Sequence, residues 1–252
     1  MVGEYLSATT KLQCLNLYDN YLDDVSLELI SNSLFENRSL KKLNLGKNDF
    51  SVKGLHHLCD SIKTNSSLEI LYLSENKIDH QGAKEICEFL RINNFLKALN
   101  LSKNDLSSNG SLLLSNSLPF NDSLKTLQLS HNSIGDVGCS HLFQSSNNLI
   151  NLDLSDNHIS PKGAIKILKF LQSNISLEQI HLHSNAIRGD VLKQINSYLH
   201  CNLKWSPEIH KSINLAKFKQ IVSLLFIFFK TKNIPKFVCF EIFARIDRKP
   251  LL

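Results

Sequence analysis

No two cysteines in this sequence stand in a C-x-x-C spacing, although six occur, at positions 14, 59, 87, 139, 201 and 239. That removes the usual zinc and dithiol redox motifs, and no metal or cofactor is expected. Neither G-x-x-x-x-G-K-[ST] nor G-x-G-x-x-G is present, so the two common glycine-rich phosphate cradles are missing as well. Met1-Val-Gly-Glu-Tyr-Leu offers no basic start and no apolar run, so no signal peptide is expected. With scattered free thiols, this favours a reducing, cytoplasmic setting. The Asn-x-Ser triplets at Asn37, Asn65, Asn100, Asn109, Asn121 and Asn174 then read as a by-product of an Asn/Ser-rich composition.

Basic charge is scarce over most of the chain. The formal net charge is +5, but ten Lys/Arg and only three Asp/Glu follow from Leu203 onward, leaving 18 basic and 20 acidic side chains in residues 1–202. A near-neutral body does not act as a trap for nucleic acid or anionic lipid. No Ser, Cys or Lys sits beside a recognisable base motif, and acidic residues such as Asp23, Asp24 and Asp136 fall in what read as rim loops. An enzyme is therefore not expected.

What is present is a repeat. The pattern L-x-x-L-x-L-x-x-N starts at Leu12, Leu40, Leu68, Leu96, Leu124, Leu149 and Leu177, with steps of 28 residues except for one of 25 after Leu124. Within each copy two leucines, such as Leu43 and Leu45, alternate with outward residues at the period of a strand. Strands of successive copies lie side by side, about 4.8 Å apart, as a parallel sheet. The closing Asn20, Asn48, Asn76, Asn104, Asn132, Asn157 and Asn185 stand where the chain leaves the strand; their amides can satisfy turn backbone and stack as a ladder.

The second half of each copy carries apolar residues at helical spacing, as in Ile78, Gly82, Ile86 and Leu90. Gly54, Gly82, Gly110, Gly138 and Gly163 share one phase near the helix start and are expected to let helix and strand backbones approach. A helix is about 10 Å wide and a strand spacing about 4.8 Å, so stacked units must curve, with strands inside and helices outside. The short step predicts a shortened or frayed helix around Gly138–Gln144. Cys59 and Cys87 occupy one helical phase in adjacent copies, too far apart for an easy disulfide, and read as buried thiols.

The outward strand positions form the concave face. Its middle slots hold Asn16, Asn44, Tyr72, Asn100, Gln128, Asp153 and His181; two residues on come Tyr18, Gly46, Ser74, Ser102, Ser130, Ser155 and His183. A polar face with little net charge suits a wet protein interface better than an apolar ligand pocket. Candidate partner-binding residues are Tyr18, Asn44, Tyr72, Asn100, Gln128, Asp153, His181 and His183, with the two tyrosines as the expected hot spots. His181, His183 and Asp153 are zinc-ligand types on one face, but exposed histidines on a polar wall are the plainer reading.

An alternating strand and full helix with this period resembles the ribonuclease-inhibitor-like branch of the leucine-rich repeats. That branch includes the sensor domains of NOD-like receptors and the Ran GTPase-activating protein. The resemblance covers residues 12 to about 200 and implies an α/β, right-handed horseshoe that binds another protein through its concave face or rim loops. It also implies an alternative, regulation of a small GTPase through rim residues such as Lys47, Lys103 and Arg188.

The expected domain is 1–202. Residues 4–12, EYLSATTKL, align with EFLRINNFL at 88–96, so the chain opens midway along a repeat and reads as part of a longer repeat protein. Residues 203–252 form a basic tail that carries seven of the fourteen Phe and lacks an eighth copy. Three readings of it stand open: an irregular cap over the open core, a translated non-coding stretch that folds poorly, or a membrane-associating segment. The apolar run 221–229, flanked by lysines, is too short to span a bilayer, so no stable membrane insertion is expected.

Overall fold

The chain is described here by a computed structural model, which describes residue 6, residues 9–145 and residues 148–204. All three readings of the tail concern residues that lie outside this set from position 205 on. Each copy of the repeat contributes one three-residue strand: β1 (Cys14–Asn16), β2 (Lys42–Asn44), β3 (Ile70–Tyr72), β4 (Ala98–Asn100), β5 (Thr126–Gln128), β6 (Asn151–Asp153) and β7 (Gln179–His181). They form one parallel sheet in sequence order, and the register steps by one full repeat, Leu43 opposite Leu71 and Leu71 opposite Leu99. Helices alternate with them: α1 (Asp24–Glu36), α2 (Val52–Ile62), α3 (His80–Leu90), α4 (Ser107–Ser115), α5 (Gly135–Ser145), α6 (Pro161–Leu171) and α7 (Gly189–Lys204). This is the right-handed α/β horseshoe that the repeat spacing calls for; parallel strands joined by helical crossovers take that hand.

Between sheet and helices runs one apolar layer. Leu43, Leu71, Leu99, Leu127 and Leu152 are at most 1% exposed, while Leu15 and Ile180, their equivalents at the two edges, are only partly buried. The core is thus continuous along the described repeats, with its edge strands less covered than the interior ones, as expected where each repeat is covered by its neighbours. Burial of a leucine is worth roughly 1.5–3 kcal/mol, so the repeated Leu slots are the dominant stabilising set.

The seven closing asparagines do form a ladder. Asn104 Oδ1 accepts from the Asn76 and Ile78 amides at 3.0 and 2.9 Å, and its Nδ2 donates to the Leu73 and Leu101 carbonyls, each at 2.9 Å. Each interior rung therefore ties its own repeat to the one before it. A second ladder stands at the opposite edge, where the chain descends from helix to strand. Asn93 Nδ2 donates to Ile62 O and Asn65 O at 2.8 and 3.1 Å, and Asn121 Nδ2 donates to Leu90 O and Asn93 O. Asn37 donates in the same way to Leu6 O, which places Leu6 where the 4–12 alignment puts it.

This second ladder corrects the reading of the Asn-x-Ser triplets. Asn37, Asn65 and Asn121 are buried rungs, Asn174 is buried and accepts from the Ser176 and Leu177 amides of its own turn, and the Ser67 and Ser123 hydroxyls bond back to Asn65 and Asn121. At these positions the asparagine supplies the amide of the descending turn, although Asn93 does so with Phe95 in the serine's place, and the triplets at Asn100 and Asn109 lie elsewhere, in β4 and α4.

Two other expectations are overturned. The 25-residue step does not shorten its helix: α5 has eleven residues, as many as α2, α3 and α6. The deletion is absorbed in the connections, chiefly the descending one from Ser145 to Asn151. The shortest helix is α4, one repeat earlier, whose N-cap Leu106 supplies no side-chain bond and which gives way to a 3-10 turn at Leu118–Phe120. The phase-locked glycines do not accommodate a strand either. A Cβ on Gly54 would meet Asp24 Oδ1 at 2.6 Å and Asp24 Cα at 3.1 Å, and one on Gly138 would meet Ser108 Cα at 3.0 Å. The close approaches are to the preceding helix, as at Gly54 and Gly163, and to the side chain four residues earlier in the same repeat, as at Gly82 (Ile78, 2.6 Å) and Gly110 (Leu106, 3.0 Å).

Candidate functional site

The concave wall is built by rigid geometry. The middle slots Asn16, Asn44, Tyr72, Asn100, Gln128, Asp153 and His181 stand in direct register across the seven strands. The structure divides them into two kinds. Asn16, Asn44, Asn100 and Asp153 each turn a side-chain oxygen onto the amide two residues ahead, at 3.1, 3.0, 2.8 and 2.9 Å. These side chains are partly spent on pinning the strand's exit, an Asx-type bond. The side chains of Tyr72, Gln128 and His181 make no hydrogen bond among the described residues; Tyr72 and Gln128 are half-buried and His181 is exposed.

Tyr18 is engaged within the chain. Its ring packs against Gly46, where an added Cβ would lie 2.9 Å from Tyr18 Cδ2, and its hydroxyl donates to Glu75 Oε1 at 3.1 Å, two repeats away. Desolvation, and then the Glu75 carboxylate, push the phenol above its ordinary pKa. The missing side chain at Gly46 is what lets the ring lie down. At 38% exposure Tyr18 remains reachable from the concave side.

At the other end, His183 is exposed and its Nδ1 lies 2.9 Å from Ser155 Oγ, which in turn donates to Asp153 Oδ1 at 2.7 Å. Ser155 is fully buried, and the carboxylate bonds the hydroxyl rather than the imidazole. A nucleophile needs the opposite order, with the imidazole between carboxylate and hydroxyl. Among the described residues no group of three His, Cys, Asp or Glu side chains could hold a metal ion.

The ascending rim, one residue beyond the third slots, was not legible as a unit. Asp19, Lys47, Glu75, Lys103, His131, Asp156 and Ser184 all adopt left-handed backbone with φ between 50° and 61°. Side chains pair across repeats: Lys47 with Asp19 at 2.7 Å and Lys103 with Glu75 at 3.3 Å as ion pairs, and His131 Nδ1 lies 2.8 Å from Asp156 Oδ2. Arg188 pairs with Asp190 at 3.1 Å. All three rim cations singled out for a GTPase are thus in ion pairs within the chain.

Asp23, Asp24 and Asp136 also turn out to be structural, and none is in a free loop. Asp23 caps α1 through the Ser26 amide. Asp24 and Asp136, in the first turns of α1 and α5, reach the next repeat and cap its helix. Asp24 accepts from the Ser51 amide at 2.7 Å, the Ser51 hydroxyl at 2.7 Å and the Gly54 amide at 3.0 Å. Burial works against the charged form of Asp24, but these bonds outweigh it and hold the carboxyl below its usual range; Asp136 is held down in the same way by Ser160 and Gly163. A cavity of about 310 Å³ beside these loops is lined by Asp49, Ser51, Lys77 and Asp79, of which Ser51 and Asp79 serve as helix caps.

Comparison with known proteins adds to this picture. The Leucine Rich repeat family profile matches at residues 36–59, 64–87, 93–115, 120–143 and 145–168. No curated protein matches the sequence significantly. Among solved structures, the leucine-rich repeat-containing protein LegL7 from Legionella pneumophila superposes with a TM-score of 0.56 at 21% identity, covering 79% of this chain and 67% of that one. The C-terminal domain of a Caenorhabditis elegans tropomodulin gives 0.51 at 15% identity, covering 73% and 97%. Actin-binding site 2 of leiomodin-1 gives 0.50 at 19% identity, covering 77% and 95%. Five profile matches in phase with the strands, and neighbours of the same architecture, agree with a leucine-rich-repeat fold.

Proposed function

We propose that the chain is a protein-binding module of the ribonuclease-inhibitor-like kind, working in the cytoplasm, whose concave wall holds one partner. The observation that carries this reading is the set of side chains left uncommitted on that wall. Tyr72, Gln128 and His181 project from rigid, register-locked strands while the asparagines around them are used internally. A pre-ordered polar wall loses little conformational freedom on binding, which is how modest contacts add up to useful affinity. Tyr18, Asn44, Asn100, Asp153 and His183 complete the contact surface, with Tyr18 and His183 at its two ends. One of the structural neighbours is an actin-binding site, so a protein ligand is compatible with this architecture; the likeness extends to the fold alone and names no partner here. Buried thiols at Cys59, Cys87 and Cys139 fit a reducing compartment. Regulation of a small GTPase draws no support from the rim, since Lys47, Lys103 and Arg188 are all paired.

The test is affinity capture from native cells with the full chain and with a Tyr72→Ala, Gln128→Ala, His181→Ala variant. Loss of a specific partner in the variant is the expected result, with each hot-spot truncation costing about 1–2 kcal/mol. Undiminished capture would place the interface off the concave wall.

A further inference from the structure

The two rims of the sheet carry charge differently. On the ascending side, acid and base alternate and pair. On the descending side, one residue ahead of each strand, the backbone forms a hydrogen-bonded row through Gln13, Lys41, Glu69, Lys97, Lys125, Ile150 and Glu178: Glu69 N donates to Lys41 O, Lys97 N to Glu69 O, and Lys125 N to Lys97 O. Glu69 is shared by two lysines, Lys97 at 2.7 Å and Lys41 at 3.5 Å. Lys125 lies next in the row, and the exposed Lys42 stands beside Lys41 in the first slot of β2. Over repeats two to five the row and the adjoining Lys42 therefore hold four lysines and one glutamate within a few strand spacings, about 4.8 Å each, with one further acid, Asp122, in the turn ahead of Lys125, where it accepts from Asn148 Nδ2 at 2.7 Å. Apolar groups border it. Phe95, two residues ahead of Lys97, is 47% exposed, and Phe120, five ahead of Lys125, is 58% exposed under the Arg91 guanidinium, 4.5 Å from its ring centroid.

We propose that the descending edge of repeats two to five docks an acidic segment of the protein partner that also carries apolar side chains. This rests on the concave-wall reading and specifies the partner's chemistry. Lys41 and Lys97 share the single Glu69 carboxylate, and Lys42 and Lys125 are in no ion pair among the described residues; that excess of positive charge attracts and orients an anionic chain, and the flanking phenylalanines give its apolar side chains somewhere to bury. Nucleic acid fits less well, because the neutral concave wall beside the row offers a polyphosphate no further cations.

The full chain is titrated by fluorescence anisotropy with a labelled peptide of repeating Glu-Glu-Phe, and in parallel with repeating Lys-Lys-Phe and with an oligothymidylate of equal length. The acidic peptide is expected to bind and the basic one not to. A Lys42→Glu, Lys97→Glu, Lys125→Glu variant should weaken the acidic peptide about tenfold or more. A Lys162→Glu, Lys166→Glu, Lys169→Glu variant on convex α6, with the same change in net charge, should weaken it less than about twofold. The Gln triple at positions 42, 97 and 125, in which no like charge is brought beside Glu69, provides the same test if the Glu triple loses its circular dichroism signal. Equal losses in the two Glu triples, or oligothymidylate binding as tight as the acidic peptide, would overturn the proposal. If peptide binding survives the row variant while Tyr72→Ala, Gln128→Ala, His181→Ala abolishes partner capture, the edge proposal alone fails; if capture also survives, the concave-wall reading fails with it.

Discussion

The two asparagine ladders do similar work at opposite edges of the sheet with different wiring. On the ascending side Asn104 receives its hydrogens from the preceding repeat, Asn76 N and Ile78 N, and gives its own to carbonyls of both repeats. On the descending side Asn93 receives from its own turn, Phe95 N and Leu96 N, and only its donated bonds cross to the preceding repeat. One side chain couples repeats through both of its atoms, the other folds a local turn and couples through one. The difference teaches where the solenoid tolerates irregularity. The 25-residue step loses its length mainly on the descending side, while the ascending ladder runs on unbroken from Asn132 to Asn157 to Asn185.

Replacing one rung on each side sets the two against each other. Asn104→Ala strands two buried amides and should cost about 2–4 kcal/mol in a urea unfolding titration, the largest effect anticipated here. Asn93→Ala should cost about 1–2 kcal/mol, because the amides it leaves lie in a turn closer to solvent. An equal or larger loss from Asn93→Ala would erase the distinction. Asp24→Ala, which removes the cap on the next helix, should cost about 1 kcal/mol at neutral pH. The folded-state pKa of Asp24 is lowered, so its contribution is fully present above the unfolded value of about 3.9 and is lost as pH falls through the folded one. The gap between wild type and variant should therefore close in acid; a gap that persists there would assign the loss to packing. Lys103→Ala, on an exposed ion pair of the ascending rim, should change stability by no more than about 0.5 kcal/mol.

The sequence exposes the fold because its scaffold residues repeat at one phase: the paired leucines, the closing asparagine and the helical stripe fix strands, register and core without further information. The descending ladder also repeats, as Asn-x-Ser-Leu at 37, 65, 121 and 174, but it is interrupted at Asn93 and coincides with a familiar modification motif that an Asn/Ser-rich composition also produces. The lysine row is likewise visible in LKKL, LKAL and LKTL, where attention to the inward leucines hides the outward pair. What periodicity cannot reveal is which polar side chains the chain uses for itself. Asn44 and Tyr72 occupy the same slot; only geometry shows that one bonds the next amide while the other is left over. The same holds for Tyr18, whose reach to Glu75 depends on the accident of glycine in the repeat between them, and for Asp24, which caps a helix in a different repeat from its own.

Native-state amide hydrogen exchange on Asn104→Ala offers the most direct test of ascending-edge coupling. The Asn76 and Ile78 amides, one repeat upstream, should lose protection relative to wild type, while Lys103→Ala leaves them as slow as before. Unchanged exchange at both amides in Asn104→Ala would mean that the repeats hold together through their leucine core alone.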